Sequence, residues 1–136
     1  MLAQGRMPRL RKVPKLAPKE IALHMAVADF LRRFARPDWR WTHFPAGEHR
    51  DVRVAAKLKA MGLQRGWPDF VLISPAGLFH ALELKRQGED MTEDQAAFAQ
   101  WCVEKGVPHA VARSLEEAIG KLTKWGAIRV PIAGLA

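Results

Sequence analysis

Three residues near the middle of the chain have the types and spacing for chemistry on a charged substrate: Asp69, Glu83 and Lys85. Glu83 and Lys85 lie in the run Leu78-Phe-His-Ala-Leu-Glu-Leu-Lys85, which reads as a β-strand. Side chains alternate along a strand, so these two share one face while Leu82 and Leu84 take the other. Opposite charges in an apolar strand are costly unless they have partners or line a cleft. Phe70–Ile73 reads as a preceding buried strand, and Ser74-Pro-Ala-Gly77 as the turn between the two. Folding this hairpin about Ala76 pairs Ile73 with Phe79 and sets Asp69 opposite Glu83.

Directly opposed like charges destabilise a strand pair. A divalent cation between the two carboxylates turns that repulsion into a binding site. Mg²⁺ takes one or two carboxylates and completes its shell with waters and phosphate oxygens. Lys85 on the same face would lower the pKa of an attacking water or stabilise charge developing on a phosphate. Glu-x-Lys by itself is an ordinary surface ion pair. Gly66-Trp-Pro-Asp69 ahead of the hairpin, in a basic chain, favours the site over the ion pair.

The elements that position these residues follow from periodicity and punctuation. Pro18 suits a first helical turn, and Lys19 to Phe34 reads as a helix with Ile21, Met25, Ala28 and Leu31 on its apolar stripe. Trp39 to Phe44 alternates as a short strand ending at Pro45-Ala-Gly47. Asp51 to Ala60 predicts a short basic helix whose core candidates are Val54, Ala55, Leu58 and Met61. After the hairpin, Thr92-Glu-Asp-Gln95 has capping-box spacing and opens a helix to Lys105, closed by Gly106. His109 to Arg113 reads as a strand. Ser114-Leu-Glu-Glu117 repeats the capping spacing before a helix to Trp125, and the apolar residues after Gly126 would add or cover an edge strand. The order helix, strand, helix, strand, strand, helix, strand, helix predicts an α/β fold with a mixed central sheet flanked by helices.

The 136 residues suffice for one domain, expected over 18–136, preceded by a flexible basic arm over 1–17. Twenty-two Lys and Arg against fourteen Asp and Glu leave a net charge of +8, which favours a polyanionic partner. No apolar run is long enough for a membrane helix, and no apolar stretch follows the N-terminal basic residues as in a secretory signal. Cys102 is a lone cysteine, and a reducing, cytoplasmic setting is expected. The five histidines show no zinc-type pairing; His43 and His49 flank a turn that either lines a cleft or is plain surface loop. Trp41, Trp101 and Trp125 are expected in the core, whereas Trp67, beside Pro68-Asp69, is a candidate contact for nucleic acid. Arg50, Arg53, Lys57 and Lys59 form either a phosphate-tracking helix face or a solvated one.

Gly66-x-Pro68-Asp69, then Glu83-x-Lys85, then Gln95 at the next helix start closely resemble the VRR-NUC family of the PD-(D/E)xK nuclease superfamily. The resemblance runs from about Glu20 to Ile119 and implies a restriction-endonuclease-like core. It implies a Mg²⁺- or Mn²⁺-dependent phosphodiesterase, with Asp69 and Glu83 as metal ligands, the Leu84 carbonyl as a further ligand, and Lys85 as the catalytic lysine. It also assigns an accessory acid to Glu20 and a supporting amide to Gln95. Glu20 would equally sit in a first helical turn for its favourable helix-dipole interaction, and Gln95 would equally close its capping box. Small stand-alone members of the family resemble structure-selective resolvases that act as homodimers on branched DNA. That is the expected function here; the alternative is a non-catalytic DNA-binding module on the same fold.

Overall fold

The structure, a computed structural model, describes residues 18–45 and 51–129. The basic segment 1–17, His49, Arg50 and the apolar residues from 130 onward lie outside the described residues. The elements in chain order are α1 (Pro18–Phe34), β1 (Arg40–His43), α2 (Val52–Ala60), β2 (Phe70–Ile73), β3 (Phe79–Leu84), α3 (Glu93–Lys105), β4 (His109–Ala112) and α4 (Leu115–Trp125). They follow the expected order. The sheet is mixed: β1 pairs with β2 and β2 with β3 antiparallel, and β3 pairs with β4 in parallel. Spatial order equals chain order, β1-β2-β3-β4, so β3 is an interior strand. The helices flank it, giving an α/β architecture. Among the described residues no helix is long and apolar enough to cross a membrane.

Strand alternation divides the sheet into two differently covered faces. Phe70, Leu72, Leu82, Leu84 and Ala112 bury against Val27 and Leu31 of α1 and Ala118 and Leu122 of α4, forming the main core. On the opposite face, Phe98 of α3 packs against Trp67 and His109, with ring centroids 5.0 and 6.2 Å away, and Trp67 also meets Phe79. Residues 81–85 are all buried because β3 has cover on both sides. Apolar alternation is therefore not needed in β3, and charged side chains can be held there only with partners.

The helix boundaries have local causes. Thr92 caps α3 and the full capping box forms, with Gln95 reaching back to the Thr92 amide. Ser114 accepts from the Glu117 amide, but the Glu117 carboxylate bonds Arg113 N–H at 2.7 Å instead of the cap residue, so the second box is incomplete. Gly106 and Gly126, both left-handed, end α3 and α4.

Several expected core positions are corrected. The buried stripe of α1 runs through Val27 and Leu31, with Leu23, Ala28 and Phe34 against it; Ile21 and Met25 are 42% and 66% exposed. A 3.6-residue period fits both stripes, and only packing against α4 selects one. Helix α2 buries no residue, with Val54 and Met61 at the surface. Trp101 is 50% exposed on α3, whereas Trp41 and Trp125 pack against the core.

Gly66 and His80 generate predictions. A Cβ on Gly66 (φ +85°) would stand 2.4 Å from the Asp94 carbonyl oxygen in the first turn of α3, so the loop before β2 touches that turn backbone to backbone. Gly77 has a similar φ of +82° with open space around it. Gly66→Ala should destabilise by roughly 2–4 kcal/mol in denaturant titration, from strain plus overlap, and Gly77→Ala by only about 1–2 kcal/mol. Equal losses would mean the close approach is not energetically important. His80 lies between Trp39 and Trp125, and burial holds its pKa below the ordinary 6.5 despite its bond to the Leu78 carbonyl. The unfolded chain thus takes up this proton first as pH falls. Stability from neutral His80 is fully present above pH 6.5 and lost as pH falls through the folded-state pKa. Melting curves from pH 8 to 5 should show a smaller acid loss for His80→Phe than for wild type; parallel curves would exclude this contribution.

Candidate active site

The hairpin register sets the site. Ile73 pairs with Phe79 and Phe70 with Leu82, which leaves Asp69 next in line beside Glu83. Leu84 then lies opposite Pro68, beyond the end of β2, so its N–H has no strand carbonyl on that side. The Asp69 carboxylate takes it instead, Oδ2 accepting at 2.7 Å. The Asp69 main-chain carbonyl is held from the other side by the Phe44 amide at 2.8 Å and lies 3.0 Å from His43 Nδ1.

Glu83 points to the α3 face, where Gln95 Nε2 donates to its Oε2 at 2.7 Å. The same Gln95 accepts from Thr92 N–H through Oε1 at 2.9 Å, so one amide both caps α3 and orients the acid. The two roles left open for Gln95 are therefore compatible in geometry. Lys85, on the strand face of Glu83, is also buried, and its amide is fixed to the Ala112 carbonyl at 3.0 Å. Asp69, Glu83 and Lys85 are 9%, 2% and 7% exposed, so the charged groups are withdrawn from bulk water.

The electrostatics match this burial. Desolvation pushes Asp69 above its ordinary pKa; the neighbouring His24, the Leu84 amide, His43 and Lys85 pull the other way. Glu83 is pushed up to about 9, first by desolvation and then by the Asp69 charge beside it, with Lys85 opposing. Both carboxyls thus resist ionising together, as expected where like charges share a buried place. A cation would reverse that preference. Among the described residues no group of three or more His, Cys, Asp or Glu side chains could hold a metal. A bound ion would need backbone, water or substrate oxygens beyond the two acids.

Residues not linked to Asp69 from sequence stand around the three. His24, on α1, approaches Asp69 Oδ1 with Nε2 at 3.7 Å, and its ring packs edge-on to His43 at 5.5 Å. Glu20, one turn earlier on α1, lies 3.9 Å from Arg86 Nε, directly after Lys85. Arg113 Nη1 donates to the carbonyls of Arg86 and Glu89 at 2.7 and 2.6 Å, clamping the turn that follows the site. Sequence gave no signal for Arg113 or His24 beyond residue type, because both contacts join elements far apart in the chain. Trp67 is half-buried among Phe44, Phe79 and Phe98. Arg53, Lys57 and Lys59 are exposed on α2.

The VRR-NUC domain model matches residues 32–116. A solved structure described as a VRR_NUC domain protein is similar, with TM-score 0.64 and 20% identity, over 81% of this chain and 89% of its own. No curated protein matches. The family match spans well over half of the chain and includes Asp69, Glu83, Lys85 and Gln95, and the structural likeness bears out the fold. The chain belongs to the VRR-NUC family of nucleases.

Proposed function

We propose that this chain is a metal-dependent endodeoxyribonuclease that hydrolyses phosphodiester bonds in branched DNA during replication, recombination or repair. The observation that carries the reading is the buried, mutually repelling pair of Asp69 and Glu83 with Lys85 on the same strand face. Burial and mutual repulsion push both acids toward their protonated forms. Two carboxylates and the Leu84 carbonyl form an all-oxygen set suited to a hard cation, Mg²⁺ or Mn²⁺, that completes its shell with water and phosphate oxygens. Such an ion supplies a water of lowered pKa and polarises the phosphoryl group.

The protein's own contribution is positioning and charge. Leu84 N–H and Gln95 aim the two acids, and Lys85 stabilises negative charge that builds on the phosphate in the transition state. Glu20 acts as an outer acid, linked to the site through Arg86. Arg50, Arg53, Lys57 and Lys59 meet the sugar-phosphate backbone as positioning contacts, and Trp67 contributes beside the cut. One such site cuts one strand. Paired incisions across a junction need two sites, which favours a homodimer with two-fold symmetry.

Incubation with Mg²⁺ or Mn²⁺ against four-way junctions, flaps and linear duplex tests the reading. Asp69→Asn and Glu83→Gln should each abolish cleavage while leaving DNA binding largely intact; cleavage at near wild-type rate by either would refute the ligand assignment. Lys85→Ala should slow single-turnover cleavage by at least ~10²-fold while junction affinity shifts only a few-fold, because the interaction is made mainly in the transition state. Strongly weakened binding with an unchanged saturated rate would make Lys85 a phosphate anchor instead.

A further inference from the structure

Beside the segment that leads into Asp69 lies an apolar cavity of about 320 Å³. One wall is a pair of aromatic rings, Phe44 and Trp67, whose centroids are 5.4 Å apart at 47°. Both are tied to the site: Trp67 is two residues before Asp69, and the Phe44 amide bonds the Asp69 carbonyl at 2.8 Å. The rest of the lining is aliphatic, from Leu58 and Met61 at the end of α2 and Leu63 after it, together with Gln64. Met61 is 74% exposed, so this part of the lining is presented to the surface.

The charge around the cavity narrows the occupant. Helix α2 carries Arg53, Lys57 and Lys59 at the surface and no acidic residue, and Arg65 is exposed just beyond Gln64. An apolar, partly aromatic cavity that includes Gln64, on a helix and loop that carry exposed cations, complements a nucleotide. The planar base gains from stacking, its polar edge can meet an amide, and its phosphates stay among the cations. A base inside a duplex is stacked on both faces and cannot enter. One that is unpaired or extruded can.

We infer that this cavity takes a single unpaired nucleobase of the DNA strand beside the scissile phosphate, so that the protein selects places where pairing is already broken. The inference rests on the nuclease reading of Asp69 and Glu83 for its substrate. It supplies what those residues lack, a means of telling branched or flawed DNA from plain duplex. The energetic logic is that pairing opposes extrusion, whereas a base already unpaired enters at no such cost.

The test uses the full chain carrying Asp69→Asn, so that DNA stays intact, with two DNAs: a perfect duplex and the same duplex with one unpaired thymine. Affinity for the second should be higher by roughly tenfold, the scale of one base stacked on aromatic side chains. Permanganate, which oxidises exposed unpaired thymine, should react with it less in the complex than in free DNA. Adding Leu58→Trp, which fills the cavity and keeps every charge, should abolish both the preference and the protection while retaining duplex affinity. Equal affinity for the two DNAs, a thymine as reactive in the complex as outside it, or a preference that survives in folded Leu58→Trp protein would each overturn the proposal. If Leu58→Trp does not fold by circular dichroism, thymine protection by the Asp69→Asn protein alone decides. Cleavage of both DNAs by the wild-type chain with Mn²⁺ is read separately: no cleavage with the preference intact would sink the nuclease reading and leave the base pocket standing.

Discussion

The structure turns on one unfavourable interaction, two carboxyl groups brought together out of water. Neither Asp69 nor Glu83 would ionise comfortably there, and each is pushed toward its protonated form. What holds them is main chain and hydrogen bonding, helped by the neighbouring His24 and Lys85. Hairpin register aligns them, and the end of β2 at Phe70 frees the Leu84 amide for Asp69. A charge-assisted bond from a fixed peptide N–H orients a carboxylate better than a mobile side chain could. The paired antiparallel strands thus store a repulsion that a hard cation would relieve.

Holding the second acid requires α3 to start in one place. Gln95 reaches Glu83 only because it is the third residue of that helix, with its amide oxygen committed to Thr92 N–H. The helix start is located in turn by Gly66, whose missing side chain lets the loop before Asp69 touch the Asp94 carbonyl. The Gly66-x-Pro68-Asp69 segment therefore serves both acids: it delivers Asp69 directly and sets the distance to the helix that orients Glu83. On the far side, Arg113 closes the turn over residues 86–89 by two carbonyl contacts. Glu117 fixes the Arg113 backbone instead of completing its own capping box, so the start of α4 is joined to the same assembly.

These links differ in how far they can be read from sequence. Register was legible because Phe70–Ile73 and Phe79–Leu84 are short, apolar and joined by a Pro-Gly turn that leaves little freedom. Capping at Thr92 was legible because it is local. The buried stripe of α1 was legible only in part: Ala28 and Leu31 pack as expected, but Ile21 and Met25 fit the period as well as Leu23 and Val27 do, and only the position of α4 breaks the tie. The surface position of Val54 and Met61 was not legible: α2 has the pattern of an amphipathic helix, yet it packs too lightly to bury any residue. His24 and Arg113 came to light only in three dimensions, one a helix away from Asp69 and the other a crossover away from Arg86.

The distribution of charge carries the last step. A chain of net charge +8 attracts a polyanion, yet its central carboxylates repel one whenever they are ionised. The fold separates these demands in depth. Asp69 and Glu83 are buried beside Lys85, while Arg53, Lys57, Lys59 and Arg65 stand at the surface, where salt screens them. Surface cations would attract a polyanion first and at longer range, with no preference for its sequence. The buried group could act only on a charge already brought close, where low dielectric strengthens each contact. Phe44 and Trp67, on the segments that flank Asp69, add apolar rings that a backbone of phosphates has no reason to touch. In such an arrangement the surface charges give attraction without choice.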